Sequence, residues 1–247
     1  AAHVHLGRIE YGAAWALQQQ LVERRQRGEI GDVLLTCEHP HVITVGRRQT
    51  AQANILLPRF PVFAVERGGD VTYHGPGQLV GYPILQLAEG EQDLHGYLRQ
   101  LEDALIRLCG RCGVAAARRE KYTGVWTAVE TEDVLAGQRK LASLGVAVRR
   151  WVTSHGFALN VTTDLSCFAA INPCGMEARV MTSLLAEGAR YRGEAVQVEA
   201  LLGEAAACLG EVLGRSFEPA PRELLGELPG EAIPPEGGAR PAAEGAG

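Results

Sequence analysis

Apolar residues recur along this chain with two different periods. In residues 11 to 27, Tyr11, Ala14, Trp15, Leu21 and Val22 fall on one face and Gln, Glu and Arg on the other, ahead of Gly28. That spacing predicts an amphipathic helix closed by a C-terminal glycine. Leu94, Leu98, Leu101, Leu105, Leu108 and Cys112 repeat at intervals of three and four, which predicts a long helix over about 93 to 112 that covers one sheet face. A last helix, roughly 194 to 213, places Val198, Leu201, Leu202, Ala205, Cys208, Leu209 and Val212 inward. Shorter apolar runs bounded by Gly or Pro stand at Val33-Leu34-Leu35, at 42–45, at 62–65 and at 79–87, and read as strands. Residues 122–129, 139–148 and 151–161 read as three more, the first two joined by the acidic stretch Glu130-Thr131-Glu132-Asp133, and are expected to form an antiparallel second half. The folded domain is expected to span 1–217. From Glu218 to Gly247 the chain is Pro, Gly, Ala and Glu without apolar periodicity after Leu228, and reads as a disordered tail.

One segment escapes both periods. Residues 67–83, Arg-Gly-Gly-Asp-Val-Thr-Tyr-His-Gly-Pro-Gly-Gln-Leu-Val-Gly-Tyr-Pro, hold five glycines and two prolines among Arg67, Asp70, Thr72, Tyr73 and His74. Glycine lets backbone approach a ligand closely and prolines fix the chain on either side. A hairpin needs only two to five connecting residues. A polar loop this long between two apolar strands reads as a binding site rather than a turn.

Composition narrows the chemistry. A chain of 247 residues with 46% hydrophobic content can bury an ordinary core. It has no run of eighteen apolar residues, and Ala1-Ala2-His3-Val4-His5 lacks the basic end and apolar middle of a signal peptide. A net charge of −5 argues against general nucleic-acid binding. Six dispersed cysteines fit reduced thiols in cytoplasm rather than a disulfide scaffold. Of the 24 basic residues 22 are arginine, leaving only Lys121 and Lys140. A position that stays lysine against such a bias is a candidate for what arginine cannot supply, a compact amine able to lose its proton.

A second polar constellation is Ile171-Asn172-Pro173-Cys174-Gly175-Met176, which holds a thiol at an exposed bend between a proline and a glycine. Cys37, Cys109, Cys112 and Cys208 fall instead in apolar patterns, where a thiol behaves as a small hydrophobe. A nearby ammonium favours the thiolate that attacks carbonyls, and Lys140 is the candidate ammonium. Cys109-Gly110-Arg111-Cys112 has redox or half-zinc spacing, but it closes a leucine-rich helix and has no matching partner pair. His39-Pro40-His41 reads as a loop edge, so no metal and no cofactor are called for. Backbone N–H groups near Gly145 or Gly175 are candidate oxyanion donors.

Taken in order, the 67–83 segment, Arg139-Lys140-Leu141-Ala142-Ser143-Leu144-Gly145-Val146, His155-Gly156-Phe157-Ala158-Leu159-Asn160-Val161 and Asn172-Pro173-Cys174-Gly175 resemble the motifs of the lipoyl(octanoyl) transferases. The resemblance covers about residues 6 to 213 and includes Glu38-His39-Pro40 and Gly124-Val125-Trp126. It implies an α/β (α+β) fold, a mixed β-sheet flanked by helices like the catalytic domain of biotin and lipoate protein ligases. It also implies octanoyl transfer from octanoyl-acyl carrier protein to a lysine of lipoyl domains, on E2 subunits of 2-oxoacid dehydrogenases and on H protein. By that analogy Cys174 carries an acyl-thioester and Lys140 tunes the thiol and shuttles protons, with His74 as reserve base. Arg67, Gly68, Gly69, Asp70, Val71, Thr72, Tyr73, His74, Ser143, Leu144, Gly145, Gly156, Phe157 and Ala158 line the acyl site. A cytoplasmic monomer without membrane or nucleic-acid partners is expected. Two other readings stay open: an ATP-dependent ligase, which needs no nucleophilic cysteine, and a silent binder of acyl carriers or lipoyl domains, which needs neither thiol nor amine.

Overall fold

The computed structural model describes residues 1–57, 59–128 and 137–226. Its main feature is an eight-stranded mixed sheet in the order β13-β1-β2-β6-β10-β9-β8-β7. Here β1 is Ala2–Arg8, β2 Val33–Glu38, β6 Gln78–Ile84, β7 Ala116–Arg119, β8 Tyr122–Thr127, β9 Lys140–Arg149, β10 Val152–Asn160 and β13 Glu218–Pro219. The pairs β13–β1 and β1–β2 are parallel, and every other pair is antiparallel. The antiparallel second half expected from the sequence is therefore the β10-β9-β8-β7 edge of this sheet.

Why the strands of the centre read as unbroken apolar runs is explained by helices on both faces. Leu34, Leu79 and Leu159 point to one side, under α2 (Leu94–Arg111) and α3 (Val198–Leu213). Their neighbours Leu35, Val80 and Ala158 point to the other, under α1 (Tyr11–Gln26). A second sheet of three strands, β4-β3-β5, stands apart: β3 (Val42–Val45) pairs parallel with β4 (Val62–Ala64) and antiparallel with β5 (Val71–His74). Its own small core contains Ile43, Tyr73, Phe168 and Ile171.

The structure departs from the sequence reading in four places. Strand β5 lies inside the segment expected to be all loop, because its backbone completes the pairing of β3. Strands β1 and β7 carry too many polar residues to announce themselves; His3 and His5 of β1 both reach the Thr36 hydroxyl of β2. Helix α3 starts at Val198 rather than 194, since Glu194–Ala195 pairs with Arg190–Tyr191 as β12 on β11. The ordered chain also runs past Phe217: Ala2 and His3 pair with Glu218 and Pro219, and Leu225 is buried against the α1 core. The acidic link 130–136 and the tail beyond 226 fall outside the described residues.

Candidate active site

Lys140 opens β9, where the pairing with β8 slips between Val125 and Trp126. The side chain is carried into the interior and left only 1% exposed. Burying an ammonium is costly unless a partner offsets the lost hydration. The group in front of it is the thiol: Lys140 Nζ lies 3.4 Å from Cys174 Sγ.

Cys174 reaches that position through a tight turn. Pro173 fixes the entry, Cys174 takes left-handed dihedrals (φ 57°, ψ 28°), and Gly175 continues in the same region at φ 76°. For a residue with a side chain such a conformation costs on the order of 1–3 kcal/mol and persists only where neighbours hold it. They do: Asn172 N–H donates to the Asn54 carbonyl at 2.8 Å, and Gly175 N–H to the Asn172 carbonyl at 3.0 Å. The second bond occupies the Gly175 amide, which removes it from the oxyanion candidates. Among the six thiols Cys174 alone is half-exposed, the other five being buried.

Thiol and amine face a cavity of about 380 Å³. Of the site residues expected from the sequence, all but Tyr73 line it. Strand alternation turns the Tyr73 ring away from Thr72 and His74 into the small-sheet core, where its hydroxyl bonds His41 Nδ1 at 2.7 Å. Close strand approach shapes the walls. A Cβ on Gly145 would lie 2.8 Å from the Gly68 carbonyl oxygen, and one on Gly156 2.2 Å from that of Gly81. The sequence reading missed Tyr11, Val80, Tyr82, Leu94, Leu98 and Tyr122, which also line the cavity. Leu94 and Leu98 gave a signal, being the first two members of the α2 stripe, but were read only as core.

Charge around the cavity is held by hydrogen bonds. Arg67 is buried without a carboxylate in ion-pair reach among the described residues; its guanidinium donates to the Thr44 carbonyl and hydroxyl, both at 2.9 Å, and to the Gly68 carbonyl at 3.1 Å. Burial draws its pKa below the ordinary arginine value. Asp70 accepts from Val71 N–H and the Asn54 amide at 2.7 and 3.0 Å, and Arg48 stands 3.3 Å away. His74 is buried with Nδ1 2.8 Å from Gln78 Oε1 and Nε2 3.3 Å from the Thr44 hydroxyl. Burial, with His39 nearby, pushes it well below the usual histidine range, which favours the neutral ring. The Thr72 hydroxyl is buried with no hydrogen-bond partner among the described residues. Behind the site, burial works to raise Glu66, yet His155 3.1 Å away and the Trp15 indole outweigh it and hold the carboxyl at about 2.

The other histidine and cysteine pairs are buried or held by packing: Cys109 and Cys112 are both buried. His39 is buried between the Ile9 carbonyl and the Tyr82 hydroxyl, each 2.7 Å away. Among the described residues no group of three His, Cys, Asp or Glu side chains is arranged to hold a metal, and no helix is long and apolar enough to cross a membrane.

A thiol and a buried amine in contact at the wall of an apolar-walled cavity form an arrangement that can support nucleophilic chemistry on an apolar substrate. Residues 10–203 match the family described as lipoyl protein ligase A/B catalytic domain. A protein of Solibacter usitatus named octanoyltransferase is 49% identical over 191 residues, 75% of this chain and 82% of its own length. One of Acidobacterium capsulatum with the same name is 44% identical over 244 residues, 94% of this chain and 95% of its own. The chain thus belongs to the octanoyltransferase branch of the lipoyl protein ligase A/B catalytic-domain family. Its fold is also that of a lipoate-protein ligase A solved with ATP, at 16% identity with a TM-score of 0.70 over 90% of this chain and 88% of that one. A lipoate protein ligase of Thermoplasma acidophilum, studied with its E2 lipoyl domain, has a TM-score of 0.67 at 16% identity, over 89% and 86% of the two chains.

Proposed function

We propose that this protein moves an octanoyl group from the thioester of octanoyl-acyl carrier protein to a lysine of a lipoyl domain, through an acyl-thioester on Cys174. The observation that carries this reading is the 3.4 Å contact of Lys140 Nζ with Cys174 Sγ at the cavity wall. An adenylate-forming ligase has no use for such a pair.

In the first half-reaction the Cys174 thiolate adds to the donor carbonyl, the C–S bond to the pantetheine thiol breaks, and the leaving sulfur takes a proton from Lys140. In the second, the acceptor amine attacks the enzyme thioester, Cys174 leaves as thiolate and the neutral Lys140 takes the proton from nitrogen. An amine with an unperturbed pKa of about 10.4 needs such a base to attack at neutral pH. With His74 fixed neutral between Gln78 and Thr44, Lys140 carries both transfers. The Thr72 hydroxyl, on the cavity wall and without a partner among the described residues, is the side-chain donor this reading assigns to the oxyanion. Acyl carrier protein and lipoyl domains are the partners this reading assigns, in the cytoplasm.

The test is to mix the protein with octanoyl-acyl carrier protein and an apo lipoyl domain in the absence of ATP. The lipoyl domain should gain one octanoyl group. Modification only when free octanoate and ATP are supplied would make the protein a ligase, and no modification in either mixture would make it a binder.

A further inference from the structure

We infer that Gly124 and Trp126 form a cradle that positions Lys140 against Cys174, and that the buried carboxylate of Glu102 exists to hold that cradle in place. The inference rests on the proposed roles of the thiol and the amine, and it identifies positioning residues that do not touch substrate.

Three observations converge on the lysine stem. Gly124 has φ 143°, a conformation open to glycine, and a Cβ added there would stand 2.6 Å from Lys140 Cε and 2.8 Å from the Ala142 carbonyl oxygen. The missing side chain is therefore the space in which the lysine lies. Two residues on, the fully buried Trp126 indole has its ring centroid 5.4 Å from Lys140 Nζ, within cation–π range. Arg119 also stacks on Trp126, its Cζ 4.8 Å from the centroid. The third observation is Glu102. A carboxylate only 1% exposed is unusual, and here its Oε1 accepts the Gly124 N–H at 2.9 Å while Oε2 is 2.7 Å from Arg99 and 3.1 Å from Arg118. Helix α2 thus pins strand β8 at the residue over which the lysine passes. The slip in β8–β9 pairing at Val125 and Trp126 sets the same stretch of backbone aside from the regular ladder.

A positioning role predicts coupling to the charge of Lys140, which a merely structural role does not. The measurement is the second-order rate of Cys174 alkylation by iodoacetamide, in which the thiolate displaces iodide; it needs no acyl donor. Trp126→Phe keeps an aromatic face and should slow alkylation a few-fold, and Trp126→Leu roughly tenfold. In a Lys140→Met background, which keeps the stem and removes the ammonium, neither substitution should change the rate further. Leu209→Ala in α3, a buried site away from the cradle, serves as a control of matched destabilisation and should leave the rate unchanged. Equal slowing by the Trp126 substitutions with and without the lysine charge, or a Trp126→Leu protein that reacts like the wild type, would overturn the inference. If Trp126→Leu does not fold, the cycle with Trp126→Phe decides alone. Should octanoyl transfer fail while the alkylation coupling holds, the cradle stands and the proposed reaction falls.

Discussion

Two thiol-bearing regions of this molecule make opposite use of the same side chain. Cys109, Cys112 and Cys208 lie together where α2 meets α3, and burial pushes them up, Cys109 to about 12 and the other two to about 11. Such thiols stay protonated and act as small hydrophobes. Cys174 stands half-exposed on a strained turn with an amine 3.4 Å away. The lesson is that motif spacing alone misleads: the C-x-x-C pair has reactive spacing but is buried, whereas the single cysteine between Pro173 and Gly175 is the half-exposed one that the proposed reaction uses.

The sharpest way to break this contrast is to remove the thiol. Cys174→Ala should lose at least ~10³-fold in transfer rate, measured as octanoyl-lipoyl domain formed per minute, since a covalent route has no substitute nucleophile. Retained activity would move the chemistry elsewhere. Lys140→Met should cost on the order of 10²–10⁴-fold in the same assay, the range of a lost general acid–base group, with unchanged folding by circular dichroism. Two buried histidines, His39 near the site and His74 on the cavity wall, predict a pH effect of comparable energy on stability. Burial lowers His39 to about 4 from 6.5, so below 6.5 the unfolded chain takes up a proton that the folded chain refuses. Stability is therefore full above about 6.5 and falls as pH drops toward 4, by up to on the order of 3 kcal/mol, with His74 acting in the same direction. Urea midpoints between pH 7 and 4 should show this slope, and His39→Gln should flatten it. The smallest effect belongs to the helix thiols: Cys208→Ala should cost about 1 kcal/mol in stability and leave transfer intact. A loss of transfer there would give the cluster a function that the comparison denies it.

Much of this was written in the chain. Helices α1 and α2 and the central strands follow from periodicity, because burial on one or both faces is what periodicity records. The 67–74 wall followed from the glycines and polar residues of its segment, the 143–145 and 156–158 walls only from the family resemblance, and Lys140 and Cys174 from standing out against their surroundings, one as a rare lysine and one as a cysteine outside any apolar pattern. The parts that were not legible depend on distant partners. Strand β5 exists because β3 lies beside it, and β13 because β1 offers an edge, neither of which is a local property. Tyr73 joined the site by its position in a motif, yet strand alternation turns it away. Leu94 and Leu98 carry a core pattern and line the cavity as well, and periodicity cannot separate apolar residues that face a core from those that face an acyl chain.

The central claim is a covalent acyl group on one named sulfur. The direct measurement is the intact mass of the protein after brief exposure to octanoyl-acyl carrier protein, with and without hydroxylamine. The account predicts a single octanoyl adduct, cleaved by hydroxylamine and absent from Cys174→Ala, with the other five thiols unmodified. An adduct that survives the Cys174→Ala substitution, or transfer that proceeds with no adduct at any time point, would contradict it.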